Sequence, residues 1–365
     1  MLKVLITGSQ GYLGSVLCDY LRSYNYSILS LDAGFFWNSI IDWGVADSSV
    51  TLRDARDITD DDLIGVQAVV HLAGISNDPM GRMDASQVYD PTRAYTRRLA
   101  IMCKERGIKF IFASSCSVYG IGGEERLDEN SKVNPQTGYS LNKFQIEQDL
   151  SDLSDSAFSP IALRFATVFG PSPRIRFDVV INMFAGMAVA DGHIVLNSDG
   201  SAWRPNLHIL DLCESVRLCL ELEYSDGKLL IMNVGDEHNN CSILDLAKIV
   251  QQKVPGCKLS FLEQQPELDE SGLIRDRKVK GSDTRTYRVS FAKIRTILKG
   301  FSCKWTIEDG VEDLVNWLVS GKLTSASFRN KGFYRLQQLE FLINEGYLSD
   351  ELRWKKPYYQ LLPST

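Results

Sequence analysis

The chain has 365 residues, of which 44% are hydrophobic and 24% are charged, and its net charge is −6 at neutral pH. Such a composition is typical of a soluble globular protein with one or two domains, and the negative charge argues against general nucleic-acid binding. No apolar run is long enough to span a membrane, and the chain opens on a strand pattern rather than a signal peptide. We therefore expect a cytoplasmic protein with no nucleic-acid partner and no membrane partner.

The cysteines and histidines do not have the patterns of a disulfide framework or a metal centre. Eight cysteines are scattered without a C-x-x-C pair, and several stand inside apolar runs. The four histidines are isolated and lack the spacing of metal ligands. We expect reduced cysteines in the core and no bound metal.

A glycine-rich turn follows the first predicted strand. The apolar run 4–6 predicts a buried strand and a helix pattern begins at Tyr12. Three glycines around this turn have G-x-x-G-x-x-G spacing: Gly8, Gly11 and Gly14. Glycine permits a sharp turn and a close approach to a pyrophosphate, which the helix N-terminus attracts. The next predicted strand, 27–31, leads to Asp32, whose carboxylate can bind the adenosine ribose and repel a 2′-phosphate, so the pattern favours NAD(H) over NADP(H).

Strand and helix patterns alternate through the first half of the chain. The predicted strands are 68–73, 109–115 and 160–166, and the predicted helices are 85–106 and 139–153. Such alternation predicts βαβ units and a parallel sheet with helices on both faces. Ligands of such sheets gather at the carboxyl ends of the strands, where Gly8, Asp32, Gly74 and Ser115 stand.

After Phe169 the alternation becomes irregular, and the run 229–234 indicates a return to the sheet. We predict an α/β fold: a Rossmann-type doubly wound parallel sheet with a smaller, discontinuous C-terminal substrate lobe. The predicted units are an NAD-binding domain over 1–169, with 207–235 and about 290–320 returning to it, a substrate lobe over 170–206 and 236–289, and a helical tail over 321–365. An amphipathic pattern between Phe333 and Ile343, ending near Gly346, predicts a tail helix that packs on the body or contributes to a dimer.

A serine, a tyrosine and a lysine form the candidate catalytic set. Ser115 ends a predicted strand, and Tyr139 and Lys143 are four residues apart on a predicted helix, so they share one face. A tyrosine, with a pKa of about 10, is a poor base at neutral pH. A nearby ammonium and a positive nicotinamide ring would lower that pKa, and the lysine could also hold the nicotinamide ribose. The set predicts hydride transfer at a carbinol, with the tyrosine taking the proton.

Together these motifs resemble the extended short-chain dehydrogenases/reductases of the nucleotide-sugar epimerase/dehydratase group, over about residues 1–320. The resemblance is carried by Thr7-Gly-x-x-Gly-x-x-Gly14, Asp32, Asp54-Ala-Arg-Asp57, His71-Leu-Ala-Gly74, Ser114-Ser-Cys-Ser-Val-Tyr-Gly120, Tyr139-x-x-x-Lys143, Leu163-Arg-Phe-Ala-Thr-Val-Phe-Gly-Pro171 and Arg204-Pro-x-x-His-x-x-Asp211. It implies a nucleotide-sugar substrate, NAD as the cofactor and a homodimer that pairs through helices 85–106 and 138–153.

The resemblance also implies the members of each site. The cofactor residues are Gly8, Gln10, Gly11, Tyr12, Leu13, Gly14, Asp32, Asp54, Ala55, Leu72, Ala73, Gly74, Tyr139 and Lys143. The catalytic residues are Ser115, Tyr139 and Lys143. The substrate residues are Asn77, Ser115, Cys116, Ser117, Thr167, Asn182, Arg204 and Arg285. Arg204 and Arg285 would grip the diphosphate. Arg275, Arg277 and Arg288 are alternatives to Arg285, and Arg174 and Arg176 add positive charge beside the cleft.

The departures from the group narrow the reaction. Cys116 and Ser117 stand where the sugar 4,6-dehydratases of the group carry an Asp-Glu pair, so elimination of water is not expected. We expect an NAD-dependent C4 epimerase that acts through a transient 4-keto sugar. A nucleotide-sugar dehydrogenase or ketoreductase would use the same residues. A nucleotide-binding regulator without catalysis is a third possibility, against which the complete Ser-Tyr-Lys set argues.

Overall fold

The structure, a computed structural model, describes residues 1–37, 39, 51–76, 85–262 and 285–355. The strands within these residues are β1 (Lys3–Thr7), β2 (Ser27–Asp32), β3 (Thr51–Leu52), β4 (Ala68–His71), β5 (Lys109–Ser115), β6 (Ile121–Leu127), β7 (Ile161–Phe165), β8 (Thr167–Phe169), β9 (His193–Leu196), β10 (Trp203–His208), β11 (Leu230–Val234), β12 (Asn240–Ser242), β13 (Lys258–Phe261) and β14 (Thr286–Val289). The helices are α1 (Tyr12–Ser23), α2 (Ala85–Glu105), α3 (Gly138–Leu153), α4 (Val180–Asp191), α5 (Ile209–Glu221), α6 (Ile243–Lys253), α7 (Ala292–Ile297), α8 (Ile307–Ser320), α9 (Ser325–Phe328) and α10 (Arg335–Asn344).

A seven-stranded sheet in the order β11-β7-β5-β4-β1-β2-β3 forms the centre of the fold, and all of its pairings are parallel. The Rossmann-type doubly wound sheet expected from the sequence is therefore confirmed. The strand order reverses between β1 and β4, and ligands of such sheets bind in the crevice at this switch point.

The alternation of side chains along β1 explains why the central sheet has a buried core on each of its two faces. Val4 and Ile6 are fully buried in one apolar core, together with Leu17 and Leu21 of α1. Leu5, between them, is equally buried in a second core on the opposite face. Successive side chains of a strand point to opposite faces, so the run 4–6 serves both cores.

A third apolar core lies outside the central sheet. It joins α4, α6 and α8 and includes Ile181, Leu246 and Leu314. Two small sheets, in the orders β12-β10-β8 and β13-β9, contribute side chains to it, whereas a third, β14-β6, packs on the first core. The division of the chain into a cofactor domain, a substrate lobe and a tail stays a prediction, although β11 does pair with β7 at the edge of the central sheet.

The tail continues through α9 and α10 and packs on the body of the protein. Leu339 and Leu342 of α10 are fully buried against Val88 and Tyr89 of α2. All eight cysteines are free, and six of them are buried. In the part of the chain that the structure describes, no helix combines the length and the apolar character needed to cross a bilayer.

Candidate active site

The glycine turn is tightly packed between β1 and α1. Gly8 has a φ of +74°, in the left-handed region that favours glycine, and a Cβ there would lie 2.8 Å from the backbone nitrogen of Ala73. A Cβ on Gly14 would lie 2.1 Å from the carbonyl oxygen of Gly8. The turn therefore brings bare backbone to the mouth of the switch point, as a pyrophosphate site requires.

Asp32 lies at the end of β2 and is held by backbone donors. Its two carboxylate oxygens accept hydrogen bonds from the N–H of Gln10, at 2.9 Å, and of Gly34, at 2.7 Å. Burial raises the pKa of the Asp32 carboxyl, while these two donors and the charge of Arg174 oppose the rise. The carboxylate is fixed in place and still lines the cavity described below.

The turn expected to border the adenine has its own network. Asp54 caps the short 3-10 turn Ala55–Asp57 and accepts a hydrogen bond from the backbone N–H of Arg56, at 2.8 Å. The Arg56 guanidinium also pairs with the Asp54 carboxylate, at 2.5 Å. The pair keeps Asp54 and Ala55 at the edge of the cavity.

A buried histidine ties β1, β4 and α2 together. The Nδ1 atom of His71 lies 2.8 Å from the Oγ1 atom of Thr7, and its Nε2 atom lies 2.9 Å from the Oγ1 atom of Thr96. Burial lowers the pKa of His71 to about 3, and the charge of Lys143 adds to this effect, so the ring is neutral at physiological pH. Because Thr7 also accepts a hydrogen bond from the N–H of Ala73, at 3.3 Å, the network fixes the cofactor edge that follows β4.

Lys143 is almost completely buried, and its ammonium is held against the central sheet. The Nζ atom donates to the carbonyl oxygen of Ala113, at 2.6 Å, and lies 4.6 Å from the centre of the Phe112 ring. Burial lowers the pKa of Lys143 to about 8, although the nearby Glu147 carboxylate raises it. The lysine is therefore pre-positioned, and its charge is sensitive to pH near neutrality.

Tyr139 and Ser115, the other two members of the candidate catalytic set, lie together. Burial raises the pKa of the Tyr139 hydroxyl, whereas a hydrogen bond with Ser115 and the charges of Arg176 and Arg285 lower it. The sequence led us to expect Lys143 as a cation that lowers this pKa, and that role stays a prediction; Arg176 and Arg285 are two further cations that act in the same direction. Both arginines lie far from Tyr139 in sequence, so no local spacing could have revealed them.

One cavity of about 670 Å³ joins these features. The predicted site residues that line it are Gly8, Gly11, Tyr12, Leu13, Gly14, Asp32, Asp54, Ala55, Leu72, Ala73, Gly74, Ser115, Ser117, Tyr139, Lys143, Thr167, Arg204 and Arg285. Cofactor and substrate candidates thus share a continuous space, with the catalytic set between them.

Three predicted residues do not line this cavity. Gln10 accepts a hydrogen bond from Arg174 through its side-chain oxygen, at 2.9 Å, and its backbone N–H donates to Asp32. Cys116 is buried, and its thiol donates to the carbonyl oxygen of Arg164, at 3.1 Å, as a packed thiol would. Asn182 is fully buried, and its amide holds the backbone of the loop that follows β8. Asn77 lies outside the described residues.

The arginines that the sequence placed at the diphosphate or beside the cleft have different surroundings. Arg204 packs over the Tyr287 ring, at 5.5 Å, and donates to the carbonyl oxygen of Arg285, so the two diphosphate candidates are adjacent. Arg174 is buried, and its guanidinium donates to the carbonyl oxygens of Phe36 and Trp37. Arg288 instead packs on the Trp203 ring, at 3.8 Å. Arg275 and Arg277 lie outside the described residues.

Arg176 is one of the cations that lie near Tyr139 in the cavity. Its Nε atom donates to Asp178, at 2.5 Å, and its Nη1 atom donates to Ser76, at 2.6 Å. Its Nη2 atom and the Oγ atom of Ser117 are buried and have no hydrogen-bond partner among the described residues. Both residues line the cavity, so a polar ligand would satisfy buried groups that are otherwise costly.

Sequence reasoning missed one wall of the cavity. It is formed by Phe35, Phe36, Arg56, Arg335, Leu336, Glu351 and Leu352. The amphipathic pattern between 333 and 343 predicted the tail helix but contained no signal for what the helix covers. The bare glycine turn, the fixed carboxylate of Asp32 and the unfilled donors beside Tyr139 fit a dinucleotide together with a polar substrate.

Comparison with known proteins finds a matching family model and similar sequences. A model of the NAD dependent epimerase/dehydratase family matches residues 4–235. The UDP-glucose 4-epimerase of Bacillus subtilis is 26% identical over 296 residues, which cover 71% of this chain and 84% of that protein.

Two solved structures share the fold. The NAD-dependent NDP-hexosamine 5,6-dehydratase TunA superposes with a TM-score of 0.73 at 19% identity, covering 88% of this chain and 99% of that one. The UDP-glucuronic acid 4-epimerase from Bacillus cereus, solved with UDP-glucuronic acid and NAD, gives a TM-score of 0.69 at 22% identity, covering 87% of this chain and 99% of that one.

Proposed function

Because the chain belongs to the NAD dependent epimerase/dehydratase family, we propose that it epimerises a nucleotide sugar at C4 through a transient 4-keto sugar. The observation that carries this proposal is the meeting of Ser115, Tyr139 and Lys143 in one cavity with Arg204 and Arg285. The first three residues can move a proton at a sugar hydroxyl, and the two guanidinium groups suit a diphosphate.

Each side chain has a defined task in this reaction. Ser115 hydrogen-bonds to the Tyr139 hydroxyl and can position the C4 hydroxyl of the sugar beside it. Tyr139 removes the proton from that hydroxyl and later returns it, and the positive charges of Arg176 and Lys143 stabilise its ionised form. When bound, NAD supplies a reversible hydride acceptor. Between the two proton transfers, the keto sugar turns so that the hydride returns to the opposite face of C4. The product therefore differs from the substrate only in configuration at C4.

Two properties of Cys116 argue against elimination of water and so favour epimerisation. The residues after Ser115 are Cys116 and Ser117, and the Cys116 thiol is committed to the carbonyl of Arg164. Burial also raises the pKa of Cys116, so it is a poor base. A UDP-glucose 4-epimerase among the similar proteins supports the same choice.

A nucleotide-sugar dehydrogenase or ketoreductase is the second candidate, because the same Ser-Tyr-Lys set serves a single oxidation or reduction. Such an enzyme would reduce one NAD, or oxidise one NADH, for each sugar that it converts. An epimerase would cause no net change in the cofactor. A binding regulator is the third candidate, and it would bind both ligands without converting either.

The cell compartment and the assembly belong to the same proposal. The eight free cysteines and the use of NAD support a cytoplasmic location. The resemblance to extended dehydrogenases supports a homodimer that pairs through α2 and α3.

The experiment is incubation of the purified protein and NAD with a panel of nucleotide sugars, followed by chromatography and mass spectrometry. An isomer of unchanged mass supports the proposal. Loss of two hydrogens with reduction of NAD indicates the dehydrogenase, and loss of water indicates a dehydratase. Tyr139→Phe is the control for contaminating activity. Binding of NAD and nucleotide sugar without any product would contradict catalysis and favour the regulator.

A further inference from the structure

The last described part of the chain folds back over the cofactor end of the cavity. After α10 the chain turns at Gly346, and the returning stretch closes on itself through a β-bridge between Leu348 and Trp354. Residues 335–355, here called the C-terminal segment, contribute four residues to the cavity wall: Arg335, Leu336, Glu351 and Leu352. The family match ends at residue 235, so this segment lies outside it.

The C-terminal segment first holds the loop that follows β2. The indole N–H of Trp354 donates to the carbonyl oxygen of Ala33, at 2.6 Å, and its ring lies 5.8 Å from that of Phe35. Gln338 donates to the carbonyl oxygen of Phe35, at 3.3 Å, and the Arg335 guanidinium lies 4.3 Å from the centre of the Phe36 ring. The loop directly after Asp32 is therefore fixed by side chains from the far end of the chain.

The same segment also holds the turn at Asp54. The Arg56 guanidinium donates to the carbonyl oxygens of Glu351 and Leu352, both at 2.6 Å. Arg353 pairs with Asp57, at 2.5 Å, and lies 3.6 Å from Asp54. Backbone and side chains of the segment thus hold the turn expected to border the adenine.

The conformation of the segment is specific. Leu352 is buried, and its φ of +56° is one that an L side chain rarely adopts. Such a conformation persists only where the surroundings determine it, and here the Leu352 carbonyl is held by Arg56. Leu348 and Leu352 are buried in the apolar cluster that joins α10 to α2. The segment is therefore a packed part of the site.

We propose that the C-terminal segment forms the outer wall of the adenosine pocket and sets the rate at which NAD leaves the protein. The two loops that it holds are those that carry Asp32 and the pair Asp54 and Ala55, which we expect at the ribose and the adenine. Because one segment ties both loops together, adenosine can leave only after contacts of that segment break.

The proposal rests on the function proposed above and gives it a consequence. An epimerase returns its cofactor to the starting state in every cycle, so slow release of NAD does not limit turnover. A dehydrogenase has to exchange NAD in every cycle, and the same wall would then slow the reaction.

The test is the rate of NAD release from the full-length protein in the absence of any sugar. Protein loaded with labelled NAD is mixed with excess unlabelled NAD, and the label that remains bound is measured over time. Arg353→Ala should release NAD about fivefold faster, and Trp354→Ala about tenfold faster. Arg329→Ala is the matched control, because Arg329 pairs with Asp191 in the same tail but does not line this cavity.

The outcome is decisive even if one variant does not fold. Arg353 is partly exposed, so Arg353→Ala removes a surface ion pair and should melt, without NAD, close to the wild type. Arg353→Lys should restore most of the slow release. Wild-type release rates in both folded variants, or equally fast release from Arg329→Ala, would overturn the proposal. Slow release that depends on the segment, in a protein that converts no nucleotide sugar, would overturn the proposed function alone.

Discussion

Tyr139 and Lys143 lie one turn apart on α3, and the Nζ atom of Lys143 is 5.6 Å from the centre of the Tyr139 ring. The same Nζ atom donates to the carbonyl oxygen of Ala113 on β5, the strand that ends at Ser115. One side chain therefore ties the helix that carries the tyrosine to the strand that carries the serine. This link fixes the distance across which a proton can move.

The Tyr139→Phe variant should lose turnover and keep binding. Only the hydroxyl is removed, and general acid–base catalysis typically contributes about 10²–10⁴-fold, so kcat should fall by about that much. Nucleotide-sugar and NAD affinities, measured by calorimetry, should stay near the wild-type values. Tyr26→Phe, which loses a hydroxyl bonded to Glu221 outside the cavity, is the control. Near-wild-type turnover in Tyr139→Phe would exclude the mechanism.

The pH dependence of kcat should report Lys143. Burial lowers its pKa from 10.5 to about 8, so the ammonium loses its proton earlier than an exposed lysine does. The positive charge beside Tyr139 then disappears, and kcat should fall as the pH rises through about 8. Lys143→Met should have a lower kcat, weaker NAD binding and no step at this pH. If kcat of Lys143→Met still fell at the same pH, the fall would belong to a group other than Lys143.

Removal of Arg176 should act on the ionisation of Tyr139. The charge of Arg176 lowers the pKa of the tyrosine, so Arg176→Gln should raise that pKa and move the acidic limb of the kcat profile, on which activity rises as Tyr139 ionises, to higher pH. The KM for the nucleotide sugar should rise as well, since the buried Nη2 atom is lost. Arg295→Gln is the control, because Arg295 pairs with Glu237 and does not line this cavity. An unshifted profile would show that Arg176 does not act on Tyr139.

Asp32 should set the choice between NAD and NADP. Asp32→Ala removes the negative charge but leaves Arg174 nearby, so NAD should bind more weakly and NADP more tightly than in the wild type. Fluorescence titrations with both cofactors measure the two affinities. Asp19→Ala, on the exposed face of α1, should change neither. Equal wild-type affinities for NAD and NADP would refute the assignment.

The expected homodimer can be tested through an exposed leucine. Within one chain, α2 and α3 are joined by the ion pair of Arg93 and Asp149, while Leu141 on α3 remains 46% exposed. Sedimentation at micromolar concentration should give a dimer for the wild type and a monomer for Leu141→Asp. Ile64→Asp, at another exposed apolar side chain, should stay dimeric. A monomeric wild type would remove the prediction.

The sequence by itself determined the parts of the site that depend on short spacing. The glycine turn can be recognised from its spacing alone, although the crowding at Gly8 comes from Ala73, which is distant in sequence. Tyr139 and Lys143 share a face because a helix repeats every 3.6 residues. The strand alternation predicted the parallel sheet and therefore the edge at which Asp32 and Ser115 would stand.

The directions of side chains and the contacts between distant segments were decided by tertiary structure. Cys116 and Ser117 are adjacent, yet packing turns the first toward Arg164 and the second into the cavity. The contact between Arg56 and Leu352 joins positions 296 residues apart. A pattern of residues along the chain reports local periodicity and apolar faces. It does not report which of many possible partners an apolar face will bury, because that choice depends on the packing of the whole fold.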